Sequence, residues 1–182
     1  MERLKEGDDL ALNDLMARWK EPLVTFCLRY TGNLTDAREL AQEAFVNVYG
    51  SRFRYKPKAA FSTWLFSIAA NLCRMRARWG SRHPEVLEAD RPEHLSAGAN
   101  DPVAPNDPST ETDRNALAVD LDRAIQALPH DLRVAFVLYE LQGLSYREIA
   151  TVLVCTEKAV ERRLARSRER LQTLLEAKWS TK

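Results

Sequence analysis

Between residues 83 and 112 the chain has a composition that cannot build a core, and this divides the rest in two. The stretch from Pro84 to Asn115 holds five of the eight prolines, namely Pro84, Pro92, Pro102, Pro105 and Pro108. Its carboxylates are Glu85, Glu88, Asp90, Glu93, Asp101, Asp107, Glu111 and Asp113, balanced only by Arg91 and Arg114. Such a segment buries too little apolar surface to offset its ordering entropy, so a flexible acidic linker is expected over 83–112. One domain, residues 1–82, should precede it, and a second, residues 113–182, should follow.

Both flanking blocks read as helical. No strand-like alternation of useful length occurs, so the expected fold is all-α: two small helical domains, the second of four helices. In the first block Leu12, Leu15, Met16, Trp19, Leu23, Phe26, Cys27 and Tyr30 recur at helical spacing, with Pro22 marking a kink or a new first turn. Gly32-Asn33 ends that segment, and Asp36 with Glu39 has the spacing of a capping box that opens the next helix. This helix should bury Leu40, Ala44, Phe45 and Val48 and turn Glu39, Gln42, Glu43 and Asn47 towards water. A third helix is expected over about 61–79. In the second block a helix over about 113–128 meets Pro129, which restarts the chain into another ending near Leu141, and Gly143 breaks it. Ser145 and Glu148 form a second capping box, opening a short helix that buries Ile149, Ala150 and Leu153. After a turn at Val154-Cys155, Thr156 can cap a long helix with Val160, Leu164, Leu171 and Leu175 on its buried side. A short helix, a tight turn and a longer basic helix form the helix-turn-helix pattern.

Several function classes are excluded or left without support. No apolar run approaches the ~20 residues that cross a bilayer, and MERLKEGDDLALNDL lacks the apolar core of a signal peptide. A cytoplasmic, non-membrane protein is therefore expected. Cys27, Cys73 and Cys155 are scattered among apolar neighbours, which suits ordinary buried thiols. His83, His94 and His130 are equally isolated, so neither metal nor cofactor is expected.

The net charge of +1 hides a strong segregation along the chain. From Ala44 to Pro84 there is no Asp or Glu, yet Arg52, Arg54, Lys56, Lys58, Arg74, Arg76, Arg78 and Arg82 are present. Phe53, Tyr55, Phe61, Trp64, Phe66 and Trp79 are interleaved with them. Cations offset phosphate charge, and exposed aromatics stack on unpaired bases for about 1–3 kcal/mol each. That pattern suits a surface for single-stranded or opening DNA, although Phe61, Trp64, Phe66 and Ile68 also read as core. The last helix carries Lys158, Arg162, Arg163, Arg166, Arg168 and Arg170 among Glu157, Glu161 and Glu169. In a recognition helix the N-terminal residues meet base edges and later arginines meet phosphates. The bland alternative is an exposed helix laced with ion pairs. The Glu39, Gln42, Glu43 and Asn47 face is acidic and polar; it is either simply solvated or a dock for a basic partner.

Two long segments then resemble a known family. TDARELAQEAFVNVYGSRFRY…FSTWLFSIAANLCRMRAR is similar to region 2 of the extracytoplasmic-function (ECF) sigma factors of the sigma-70 family, and ALPHDLRVAFVLYELQGLSYREIATVLVCTEKAVERRLARSRERL to their region 4. Their order, the linker and the total length match as well. The resemblance implies an RNA polymerase sigma factor, which directs core enzyme to promoters and helps open them. Glu39, Gln42, Glu43 and Asn47 then correspond to the helix that docks on the β′ coiled coil of the polymerase. The loop from Arg54 through Tyr55, Lys56 and Lys58 to Ala60 corresponds to the segment that captures a flipped base of the −10 element, with Trp64, Asn71, Arg74 and Arg78 on the helix that meets the opening strand. Thr156, Lys158, Glu161, Arg162, Arg163 and Arg166 correspond to the −35-reading helix. The surface around Phe136, Val137 and Tyr139 would partly face the β-flap, and an anti-sigma factor is an expected partner. The polymerase makes the bonds, so no catalytic residue is expected.

Two departures from the family pattern stand out. Val154 takes the place of the usual turn glycine, where a β-branched residue fits a positive φ poorly. The common Gly-Thr-Val-Lys-Ser-Arg is here Lys158-Ala159-Val160-Glu161-Arg162-Arg163, and Glu161 at a base-reading position accepts from cytosine but repels phosphate. A free-standing helix-turn-helix regulator would explain the second block alone. A nucleic-acid-processing enzyme would need clustered carboxylates or histidines beside the basic block, which lacks them.

Overall fold

The structure, a computed structural model, describes residues 1–56, 60–82 and 108–179, with the backbone alone for 108–116 and 179. The first helices are α1 Glu2–Lys5, α2 Leu10–Thr31, α3 Leu34–Gly50 and α4 Phe61–Gly80, with a single 3-10 turn at Arg52–Arg54. After the interval follow α5 Pro108–Gln126, α6 His130–Glu140, α7 Tyr146–Val152 and α8 Glu157–Trp179. No strand occurs among the described residues, and the fold is all-α. The acidic linker expected over 83–112 lies outside the described residues as far as 107. From Pro108 the backbone is already helical, earlier than the expected start near 113; proline suits a first turn because its missing N–H would have no helical partner there.

In the first domain α2, α3 and α4 pack together. Leu23, Phe26, Leu40, Val48, Leu65 and Phe66 meet at the centre, with the Phe26 and Phe66 rings edge to face at 5.4 Å. α2 runs unbroken through Pro22, so no new helix starts there. Leu23, Phe26 and Cys27 directly after it are wholly buried, which offsets the one backbone donor the proline removes. The start of α3 also differs from expectation. Asn33, not Asp36, is its cap, accepting from the Thr35 and Asp36 amides at 2.8 and 3.2 Å. Asp36 and Glu39 instead reach across to Arg76 of α4.

The second domain buries Val134, Val137 and Leu138 of α6 against Ile149 of α7 and Val160, Leu164 and Leu171 of α8. Its helix-turn-helix forms as local chemistry requires. The Ser145 amide donates to the Glu148 carboxylate at 2.9 Å, and the Glu148 amide returns to Ser145 Oγ at 3.4 Å. The Ala159 amide donates to Thr156 Oγ1 at 3.2 Å, capping α8. Between the two helices Val154 sits at φ +50°.

The two domains also pack on each other, α4 against α7 and α2 against α5 and α6. Gly32 ends α2 at φ +74°, and the Gln126 side chain occupies the space a Cβ would need there. The end of α5 therefore seats directly on the end of α2.

Candidate nucleic-acid interface

On α3 the helical period carries Glu39, Gln42 and Glu43 to the exposed side, with Asn47 half-buried beside them. Val46, 63% exposed, lies within this face, and Phe53 is 69% exposed just beyond it. The Glu39 carboxylate is 3.2 Å from Arg76. Arg76 is held above its ordinary pKa by its hydrogen bond to Asp36 in the first place, with Glu39 contributing less. The face is thus an acidic, polar surface with apolar side chains exposed in and beside it, a composition that suits protein contact more than solvation alone.

The basic block divides into exposed and supporting residues. Arg54, Lys56, Asn71 and Arg78 are exposed, while Lys58 lies outside the described residues. Tyr55 is not part of the exposed surface. Its ring is buried 5.0 Å from Trp64 and 6.4 Å from Phe61, with Lys5 Nζ 5.4 Å from its centroid. Trp64 is half-buried in the same cluster. Burial of large aromatic area outweighs exposure here, so Tyr55 and Trp64 brace the loop that Arg54 and Lys56 decorate.

On α8, Thr156, Lys158, Glu161, Arg162 and Arg166 are all exposed. Lys158, Glu161 and Arg162 fall at i, i+3 and i+4, and Arg166 one turn further on, so they share a helix face. Arg163 departs from this set. It turns inward, half-buried, with Nη2 2.9 Å from Asp131 and Nη1 donating to Cys155 Sγ at 3.0 Å. Among the apolar residues expected to face a partner, Val137 is fully buried in the core. Phe136 and Tyr139 reach the surface, the Tyr139 ring tilted against that of Tyr146 at 5.3 Å.

The junction between the domains lies outside what the sequence pattern led one to expect. Asp131 of α6 pairs with Arg74 of α4 at 3.2 Å and with Arg163 of α8 at 2.9 Å. Beside it the Tyr30 hydroxyl meets His130 Nδ1 at 2.7 Å. Arg133 donates to the Tyr30 carbonyl at 2.7 Å and to the carbonyls of Gln126 and Leu128. Arg29 pairs with Asp122 of α5. Burial sets the titration of this group. It lowers His130 to about 4, with Arg74 as the next cause, raises Tyr30 to about 12 and lowers Arg133. A cleft of ≈ 410 Å³ opens here, lined by Tyr30, Arg74, Arg78, His130 and Asp131 among others. The one signal in the sequence was three polar residues, His130, Asp131 and Arg133, at the head of a helix that is apolar from Val134 to Leu138. Among the described residues no group of His, Cys, Asp and Glu is arranged to hold a metal ion, and no helix is long and apolar enough to cross a membrane.

Comparison with known proteins covers both domains. Residues 15–83 match the family model for Sigma-70 region 2, and residues 118–171 that for Sigma-70, region 4. The chain is 33% identical over 174 residues to the ECF RNA polymerase sigma-E factor of Escherichia coli K12, covering 93% of this chain and 88% of that protein. The solved structure of CnrH in complex with the cytosolic domain of CnrY is similar, with a TM-score of 0.69, 26% identity and coverage of 97% and 94% of the two chains. The sigma factor RpoE of Bartonella quintana, solved with the anti-sigma factor NepR, shares the fold with a TM-score of 0.65 at 22% identity, covering 90% and 96%.

Proposed function

This chain belongs to the ECF group of the sigma-70 family and is a sigma factor of RNA polymerase, and from that premise we propose how its surfaces share the work of finding and opening a promoter. Residues 1–82 form the polymerase-docking and −10 domain, and residues 113–182 the −35 domain. The linker of 83–112 spans the polymerase between them. Glu39, Gln42, Glu43 and Asn47 dock on the β′ coiled coil, with Val46 supplying apolar contact. Arg54, Lys56 and Lys58 present the loop that takes a flipped −10 base, and Asn71, Arg74 and Arg78 follow the strand that separates. Lys158, Glu161, Arg162 and Arg166 read the −35 element, with Thr156 at the helix N-terminus. Phe136 and Tyr139 meet the β-flap.

Opening the duplex requires no catalytic group from this chain. Each flipped base costs a few kcal/mol to unstack, and binding energy for the unpaired strand offsets that cost, which shifts the promoter towards its open form. The chain is therefore a binding subunit that acts beside polymerase in the cytoplasm, and not an enzyme. An anti-sigma factor is a natural partner, since the similar RpoE of Bartonella quintana was solved with one.

One observation supports this reading most. A carboxylate-free basic helix, α4, and an exposed basic recognition face on α8 occur in one chain with an acidic docking face on α3. A free-standing regulator would leave two of these three surfaces without a task. The test is reconstituted transcription with purified chain and sigma-free core polymerase on fragmented host DNA. Transcript starts that depend on the chain and lie behind a shared pair of upstream motifs are expected. Unaided binding to duplex fragments with no such starts would refute the assignment of roles.

A further inference from the structure

We propose that Phe53, held by Arg52, is a second base-binding site: a stacking platform for an unpaired promoter base next to the one captured by the loop that begins at Arg54. The inference rests on the reading of that loop and α4 as the surface for the separated strand. Phe53 stands in the 3-10 turn of Arg52–Arg54, between the end of α3 and the start of the loop. Its ring is 69% exposed, so it adds little to the core. The ring is nevertheless held in place. The Arg52 guanidinium lies over two rings, 4.2 Å from the centroid of Tyr49 and 4.4 Å from that of Phe53. Arg52 Nη1 donates to the Tyr49 carbonyl at 2.9 Å, which ties the cation to the last turn of α3. Arg52 Nε is shielded from water with no hydrogen-bond partner among the described residues, and a desolvated cation holds an aromatic face more firmly.

The backbone beneath the ring is closed as well. The Arg54 amide donates to the Ser51 carbonyl at 2.8 Å, and the Tyr55 amide to the Arg52 carbonyl at 3.3 Å. One face of Phe53 is therefore fixed against Arg52 while the other is open, and little freedom is left to lose when a flat partner settles on it. The neighbourhood selects that partner. Arg54 and Lys56, directly after Phe53, are exposed, and the chain carries no Asp or Glu from Ala44 to Pro84. An open aromatic face among cations suits a single strand, the ring taking a base and the cations its phosphates. Tyr55 and Trp64, packed on each other at 5.0 Å, keep the root of the loop in register with this turn. The base that meets Phe53 is thus the neighbour of the captured one.

The experiment uses holoenzyme, the full-length chain with sigma-free core polymerase, on a forked oligonucleotide built from a promoter at which it starts. Single abasic sites are placed in turn along the unpaired non-template strand, and affinity is read by fluorescence anisotropy. Phe53→Ala is expected to bind the intact fork about 5- to 30-fold more weakly. Its salt dependence should equal that of the wild type, because no phosphate contact is lost. At one position the abasic site should weaken the wild type by a similar factor and leave Phe53→Ala unaffected; at the adjacent position, that of the captured base, both should weaken alike. Phe53→Trp, which keeps a stacking face, should bind the intact fork as the wild type does. Equal affinity of wild type and Phe53→Ala, or an equal loss by both at every abasic position, overturns the platform. So does a defect of Phe53→Ala confined to assembly with core polymerase, which would make Phe53 a protein contact. Should Phe53→Ala lose its helical circular dichroism, Phe53→Leu, apolar but without a π-face, takes its place under the same readings. Absence of chain-dependent binding to the fork by wild-type holoenzyme refutes the −10 assignment and the platform with it, whereas the other outcomes leave that assignment standing.

Discussion

Replacing Val154 by glycine should make this protein more stable, although it removes a side chain. Val154 sits at φ +50° in the turn between α7 and α8, and 91% of it is exposed. Its isopropyl group thus contributes almost no burial, while its Cβ crowds the backbone. The left-handed conformation costs an L-residue about 1–2 kcal/mol. Glycine removes that strain but returns about 0.5–1 kcal/mol through the extra freedom of the unfolded chain. The difference is a net gain of about 0.5–1 kcal/mol. For a chain of this size each kcal/mol moves the midpoint by about 2–4 °C, so a rise of about 1–4 °C is expected. Thermal and urea unfolding followed by far-UV circular dichroism measure it, with Val154→Ala as comparator. Alanine keeps the Cβ at positive φ and should gain less than glycine. A glycine variant at or below the wild-type midpoint refutes the strain argument, and equal gains by alanine and glycine would assign the effect to β-branching alone.

Reversing charge at Glu39 and Glu43 together should weaken binding to core polymerase by about 10-fold or more, because like charges set face to face cost several kcal/mol; unchanged affinity with intact circular dichroism removes the docking assignment. Arg162→Ala should relax selectivity by about 1–3 kcal/mol at one or two −35 positions, read by competition among promoter variants, and uniform weakening would make Arg162 a phosphate contact instead. Acidification should loosen the domain junction. His130 is faced by Tyr30, Arg74, Arg78, Asp131 and Arg133, and its pKa is lowered from 6.5 to about 4. The closed form therefore takes up a proton less readily than the opened chain, so the junction is most stable above about pH 6.5 and loses stability as pH falls towards 4. A scattering radius that stays constant across that window, or that changes equally in His130→Gln, counts against this.

What could be read in the sequence was local. The Ser145–Glu148 box, the Thr156 cap and the turn at Val154 are each set by residues within a few positions of one another, and all three form. The exposed Glu39, Gln42 and Glu43 face followed from helical period alone. Where distant groups decide, the pattern misled. Asp36 and Glu39 have the spacing of a capping box, but Arg76 of α4 draws both carboxylates across the helix pair, and Asn33 takes the cap. Tyr55 sits among cations in the sequence, yet Phe61 and Trp64 fold back over it. Arg163 shares its helix turn with Arg162 and Arg166, but Asp131 on another helix turns it inward. The junction was hidden for the same reason: Tyr30 and His130 stand 100 positions apart, and no periodicity links them.

The thiols give the native chain a clock of its own. Cys27 and Cys73 are fully buried, whereas Cys155 is half-buried. The guanidinium that donates to the Cys155 sulfur belongs to Arg163, the residue that also holds Asp131. Asp131, Arg163 and Cys155 all belong to the second domain, so that guard moves only when the turn before α8 loosens. The alkylation rate of Cys155, followed by intact-mass spectrometry, then counts how often the second domain loosens there, with no dye, engineered residue or nucleic acid added. The other two thiols stay silent until the first domain itself unfolds, so they supply the internal zero of the same trace.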